Sequence, residues 1–348
     1  MTAALPVASL WIGDRLSYIE ITVLKSFMAQ GHEVTLFTLG PVADVPDGVT
    51  LRDAREFGAP EFDFTGLTRR FAAGVYSDVF RIDLLAKTDF IWADLDAYCV
   101  RRLEPVAGYL VGSTNPRKVK PNNGVLRLPQ SSEALQLIRE FVHDPNPIPW
   151  WYPERRKAFR LAKKASGQRW GIETFKWSVS GPLILNKALH RTGEVAHVLP
   201  QPALYPVNHQ TCVQLLDPKA DPAAFETPET LSVHLFGATK LHLIAEHDGL
   251  PPEGSHIDAI CKRHDVDPAA FPLAAGADAA ELVADADFDA AILARGAPRK
   301  DEDHAKTADP PGTAALAHRP QAHAPPTSSA LSSHQNELAE AAPPLKGT

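Results

Sequence analysis

Short apolar runs alternate with stretches of helical spacing, and this alternation holds to about residue 265. Residues 7–12 (VASLWI) have no helical period and predict a buried strand. Ser17 and Glu20 stand at capping-box spacing, and Leu16, Ile19, Val23, Leu24, Phe27 and Met28 then mark one helical face. Gly31 ends that helix, and residues 33–39 predict a second strand. This strand–helix–strand unit calls for parallel pairing through a right-handed crossover. Further strands are expected at 90–93, 109–112, 125–128 and 231–236, and helices at 79–86, 132–142 and 183–191. Alternation of this kind predicts an α/β domain with a mostly parallel sheet.

The pattern changes after residue 265, which sets a domain over 1–265. An Ala-rich segment over 266–295 favours helix, and the Pro/Ala-rich stretch over 296–348 reads as a disordered tail because it cannot build a core. With 44% hydrophobic residues, the chain as a whole can bury a core. A formal charge of −7 argues against a nucleic-acid binder. Cys99, Cys212 and Cys261 are too far apart for a CxxC pair, a zinc motif or a disulfide framework, which favours a reducing compartment. No basic-then-apolar leader and no apolar run of membrane-spanning length stands out. The expectation is a cytoplasmic protein, at most peripheral to the inner face of a membrane.

The candidate chemistry begins at Asp94-Leu95-Asp96, directly after the apolar run Phe90-Ile91-Trp92-Ala93. Two carboxylates at a strand end converge on one divalent cation if the strand turns there, and ligands of open α/β sheets bind at such ends. Oxygen donors suit Mg²⁺ or Mn²⁺, which bridge diphosphate oxygens. A solvated acidic turn would carry the same three letters. Tyr76-Ser77-Asp78-Val79-Phe80-Arg81 is expected to open the preceding helix, beside Asp94 and Asp96. Asp78 and Arg81 share one face of it, as an i,i+3 ion pair or as two groups reaching the same cleft.

Taken in order, these elements resemble the DXD-motif sugar-transferase group of the GT-A glycosyltransferases. That group includes initiating mannosyltransferases, capsular and galactosyl transferases, globotriaosyl synthases and, more remotely, the glucosylating clostridial toxins. The matching pieces are Leu10-Trp11-Ile12-Gly13, Ser77-Asp78-Val79-Phe80-Arg81 and Ile91-Trp92-Ala93-Asp94-Leu95-Asp96. Asn122-Asn123-Gly124-Val125, Ser180-Gly181-Pro182 and His234-Leu235-Phe236-Gly237 follow in the same order. Lys87-Thr88-Asp89-Phe90 departs from the Gly-Gly-Ile-Tyr approach common in the group. The resemblance implies a GT-A-like, Rossmann-type α/β fold with a mostly parallel sheet flanked by helices. It implies a metal-dependent hexosyltransferase that takes a sugar from a nucleotide-sugar, with a UDP-sugar favoured. The acceptor would be a glycan, a lipid-linked acceptor or another hydroxyl compound, and anomeric configuration would be retained. Asp94 and Asp96 would be the catalytic pair and would hold Mn²⁺ or Mg²⁺ together with His234. Trp11, Asp78, Arg81 and Asn123 would bind the donor, Trp11 by stacking on the base.

Other readings remain beside these. Trp11 also fits a core position, and His234 a structural histidine. The stretch from Trp150-Trp151-Tyr152 through Arg155, Arg156, Lys157, Arg160, Lys163 and Lys164 fits a solvated helix behind an aromatic anchor, a sugar platform or a contact with anionic lipid. At the level of function, a haloacid-dehalogenase-type phosphohydrolase would also use a strand-terminal DxD, but Tyr98 stands where that group has Thr or Val. A non-catalytic nucleotide-sugar binder on the same fold is the third reading.

Overall fold

The computed structural model describes residues 4–58 and 68–273. The expected opening unit is present as β1 (Val7–Trp11), α1 (Tyr18–Ala29) and β2 (Val34–Thr38), with β1 and β2 parallel from Val7↔Val34 to Trp11↔Thr38. The capping box forms: Glu20 Oε2 accepts the Ser17 N–H at 2.8 Å, and the Ser17 hydroxyl accepts from the first turn. Gly31 follows the helix at φ +80°, in the left-handed region that favours glycine.

The chain continues through β3 (Val49–Asp53), α2 (Arg69–Lys87), β4 (Ile91–Ala93), β5 (Ala97–Cys99), β6 (Leu110–Ser113) and β7 (Pro121–Arg127). Then come α3 (Glu133–His143), α4 (Glu154–Ala165), α5 (Pro182–Thr192), the single turn α6 (Gln201–Leu204), β8 (Ser232–His234), α7 (Phe236–Glu246) and α8 (His256–Arg263). Six strands form one sheet in the order β3-β2-β1-β4-β7-β6. β3, β2, β1 and β4 run parallel, while β7 is antiparallel to both of its neighbours. The α/β fold with a mostly parallel sheet flanked by helices is therefore the observed one.

The core explains why the strands are apolar throughout. Neighbouring residues on a strand point to opposite faces. Val7, Leu36, Ile91 and Val125 pack with α1 and α8 on one face, and Ala8, Phe37, Trp92 and Leu126 pack with α2, α3 and α5 on the other. Both faces are covered, so period-two alternation is lost.

Two expectations change. Helix α2 begins at Arg69, capped by the Thr68 hydroxyl, so Asp78 lies in mid-helix rather than at its start. The apolar run at 231–236 is split: its strand ends at His234, and α7 starts at Phe236. Residues 266–273 are packed on the domain, with Val266 and Leu273 buried and the Tyr18 N–H donating to the Phe271 carbonyl at 2.8 Å. The remainder of the expected Ala-rich helix and the whole tail from 296 lie outside the described residues.

Candidate active site

The site is built where β4 leaves the sheet. The ladder continues one residue past the strand, since the Asp94 N–H donates to the Gly124 carbonyl at 2.7 Å. The chain then turns, with the Ala97 N–H on the Asp94 carbonyl at 3.0 Å. On the far side of the turn, β5 pairs antiparallel with β8, and Ala97 stands opposite His234. The Leu235 N–H donates to the Asp96 carbonyl at 2.7 Å. The Asp-Leu-Asp turn is thus clamped between two sheets, and the second one supplies the histidine.

His234 Nε2 lies 3.2 Å from Asp96 Oδ1 and 3.9 Å from Asp94 Oδ2. One ligand atom from each of the three side chains lies within 4.8 Å of the others. The Asp94, Asp96 and His234 side chains are 29%, 19% and 8% exposed, so the carboxylates are reachable while the ring is fixed. The imidazole is held between the rings of Tyr205 and Phe236, at centroid distances of 5.4 and 4.4 Å. Phe236 adopts φ +61°, a left-handed conformation that costs a bulky residue about 1–3 kcal/mol. That turn lets the chain pass from β8 directly into α7 with the Phe236 ring against His234. Gly124 faces the same ring. A Cβ there would meet His234 Nε2 at 2.5 Å, so only glycine leaves the imidazole its place.

Asp94 is aimed by its neighbours. Its Oδ1 accepts from Trp92 Nε1 at 2.9 Å and lies 3.2 Å from Arg81 Nη1. Arg81 is nearly buried and stacks over the Trp92 ring at 4.7 Å. Its remaining donors reach the Asn123 carbonyl at 2.6 Å and the Ser77 carbonyl and hydroxyl at 3.2 and 2.9 Å. Arg81 Nη2 is 3.5 Å from Asp78 Oδ1. The Asp78 carboxylate accepts from Asn123 Nδ2 at 2.8 Å and from the Ser180 hydroxyl at 2.7 Å. Gly181 makes this approach feasible, because a Cβ there would meet Asp78 Oδ2 at 2.7 Å.

The charges are unevenly compensated. Burial raises the Asp78 carboxyl, and Arg81, Ser180 and Asn123 only partly offset this. Burial likewise raises Asp96, helped by the adjacent Asp94 charge and opposed by His234. Burial also acts on Asp94, but Arg81 and His234 outweigh it and hold that carboxyl below its usual range. For His234, burial would lower the ring, yet Asp96 and Asp94 outweigh it and raise it. The space between the two carboxylates therefore favours positive charge. Two carboxylate oxygens and one imidazole nitrogen are a donor set for a divalent cation, and the residues fit such an ion.

A cavity of about 370 Å³ opens over this cluster. Asp78, Arg81, Asp94, Asp96, Asn123 and His234 all line it, and so does Trp11 at the end of β1. The Trp11 indole N–H is buried without a hydrogen-bond partner among the described residues. All seven residues singled out from the sequence are thus brought to one cavity. Lys240 was missed. It projects from α7 into the cavity, sits 5.9 Å over the Trp11 ring and ion-pairs with the buried capping-box residue Glu20. Its position six residues after His234 was the available signal.

No family profile and no curated protein matches the chain. Among solved structures, the PaToxG glycosyltransferase aligns at 12% identity and a TM-score of 0.36, over 56% of this chain and 73% of that one. The apo form of the glycosyltransferase GlyE from Streptococcus pneumoniae TIGR4 aligns at 12% and 0.37, over 77% and 62%. The apo WbbM bifunctional glycosyltransferase aligns at 12% and 0.32, over 76% and 50%. The chain thus spans between half and three quarters of the length of these structures. Identity this low leaves the chemistry to be read from the side chains.

Proposed function

We propose that the chain is a metal-dependent glycosyltransferase that moves a hexosyl unit from a nucleotide-sugar, a UDP-hexose by resemblance, to a hydroxyl of a glycan or lipid-linked glycan. The observation that carries this reading is the Asp94–Asp96–His234 donor set on the wall of a cavity also lined by Asp78, Arg81, Asn123 and Trp11. A divalent cation bound by the three side chains would neutralise the departing nucleoside diphosphate. The chain's own residues do the positioning. Trp11 offers an aromatic face to the base, and Lys240 places a positive charge on the same wall. Asp78 accepts from Asn123 and Ser180 beside the Arg81 guanidinium, a setting that suits a sugar hydroxyl. Arg81 acts through Asp94, fixing the carboxylate against Trp92.

In the transfer, the bond from the anomeric carbon to the diphosphate oxygen breaks. A bond to the acceptor oxygen forms, and the acceptor proton leaves with the displaced diphosphate or solvent. Retention of configuration is part of the proposal by resemblance. The phosphohydrolase alternative needs Asp94 as a free nucleophile. Here its Oδ1 is engaged by Trp92 and Arg81, and its Oδ2 faces His234.

The test is a nucleotide-sugar panel scored by thermal shift with and without Mn²⁺. The expected result is a sugar-nucleotide-specific shift that needs the cation and disappears in Asp96→Ala. No shift with any nucleotide-sugar, together with release of phosphate from an aryl phosphate, would overturn the reading.

A further inference from the structure

Helix α4 is amphipathic in the reverse sense. A helix packed on a domain normally turns its apolar stripe inward. In α4 no residue is buried, and the half-buried positions are Lys157, Arg160 and Lys163. The Arg160 guanidinium lies on the Trp170 and Phe175 rings, at 5.0 and 5.1 Å. Ala158, Phe159, Leu161, Ala162 and Ala165 are exposed, interleaved with the exposed Glu154, Arg155, Arg156 and Lys164. Phe159 and Leu161 are 59% and 56% exposed, and Phe159 is the most exposed aromatic side chain among the described residues.

Charge narrows what covers this face. The helix carries Arg155, Arg156, Lys157, Arg160, Lys163 and Lys164 against one acid, Glu154, in a chain whose formal charge is −7. An apolar strip flanked by cations is complementary to an anionic bilayer surface. The apolar side chains enter the acyl boundary, and long basic side chains reach the phosphates from either side. A solvated helix explains the charges but not the outward Phe159 and Leu161. We infer that α4 is an interfacial docking helix that seats the protein on a membrane rich in anionic phospholipid. The inference does not depend on the reading of the cavity. It gives that reading a setting, because the segment after α4 leads to Ser180 and Gly181, which touch Asp78.

The test is co-sedimentation of the full chain with phosphatidylcholine vesicles, with and without phosphatidylserine, at low and at high salt. The chain should pellet with the phosphatidylserine vesicles at low salt and be released at high salt. Phe159→Ser with Leu161→Ser should weaken binding about tenfold or more. Arg155→Gln and Arg156→Gln should each weaken it about fivefold. None of these side chains is buried, so melting temperature and nucleotide-sugar transfer in solution should be unchanged. Absence of vesicle binding at low salt, equal binding to both vesicle types, or full binding by the double serine variant would each overturn the inference. So would a concentration-dependent dimer, without vesicle binding, that the double variant dissolves; it would assign the face to a second copy of the chain.

Discussion

Helix α2 carries two aspartates, the half-buried Asp78 and the buried Asp83, and their surroundings oppose each other. Asp83 is held by Arg139 at 3.1 Å and His143 at 2.9 Å, both from α3, and these partners are 41% and 43% exposed. Burial pushes Asp83 up, but the His143 and Arg139 contacts outweigh it and its carboxyl lies below the usual range. Asp78 shares a single buried guanidinium with Asp94 and otherwise faces neutral donors, and its carboxyl is raised. One carboxylate is engaged by Arg139 and His143 reaching in from solvent and clamps two helices. The other belongs to a cluster in which Asp78, Asp94 and Asp96 outnumber the positive groups in contact with them. The protein's own positive groups do not match the charge of that cluster, which supports the proposal that the cavity receives a ligand.

The sharpest way to break this comparison is to remove a cluster carboxylate. Asp96→Ala should reduce transfer to background and abolish Mn²⁺-dependent donor binding measured by calorimetry, with Asp94→Ala close behind. Chelation of divalent cations should reproduce the loss in the unmodified chain. Full transfer after chelation would place the two aspartates of α2 in the same structural class.

Next in size are Asp78→Asn and Arg81→Lys. A hydrogen bond to a charged group is worth about 1.5–3 kcal/mol, or roughly ten- to hundredfold in transfer if it is made in the transition state. Asp78→Asn should lose that much while nucleoside-diphosphate affinity holds, because the diphosphate lacks the sugar. Arg81→Lys should in addition weaken cation-dependent binding, because one ammonium cannot span Asp78, Asp94, Ser77 and Asn123 as the guanidinium does.

Asp83→Asn tests the other side of the comparison. It should lower stability by about 1–3 kcal/mol, a few degrees of melting temperature, and leave transfer unchanged. A loss of transfer at unchanged stability would join Asp83 to the site.

The smallest effect belongs to a buried titratable group, His256. Neither of its ring nitrogens has a hydrogen-bond partner among the described residues, and Glu226 stays 3.7 Å away. Burial, with Arg263 nearby, lowers this histidine to about 4 from 6.5. Between those values the unfolded chain binds the proton and the folded chain does not, so stability falls as pH falls. From pH 7 to about 5.5 the loss should be about 1 kcal/mol, seen as a lower melting temperature. His256→Phe, among the rings of Tyr98 and Phe225, should flatten that slope.

What was legible in the sequence was local. The DxD, Ser-Asp-x-x-Arg and His-Leu-Phe-Gly pieces each lie within a few residues, and the apolar runs of β1, β2 and β4 announce buried strands. What stayed hidden depends on partners far away in the chain. β3 is an edge strand with three exposed residues out of five and no apolar run. β5 is three residues long and exists because β8 pairs with it. The start of α2 hides in Arg69-Arg70-Phe71-Ala72-Ala73-Gly74, where charge and glycine obscure the apolar stripe. The strand expected at 231–236 overruns β8 because Leu235 and Phe236 extend the apolar run, and at Phe236 a positive φ turns the chain into α7. Lys240 acquires its place from that same turn.

The pairing of β5 with β8 also sets an order in time. Asp94 and Asp96 leave the ribosome about 140 residues ahead of His234, on the order of ten seconds or more at ordinary elongation rates. The carboxylates stand at the end of a sheet whose four parallel strands are already made, but the histidine arrives only when β8 pairs with β5. Any ligand that needs all three side chains binds no fragment that ends before His234. By linkage it stabilises only a chain in which β8 is in place. The site therefore works as a seal on that pairing, joining the first half of the sequence to β8.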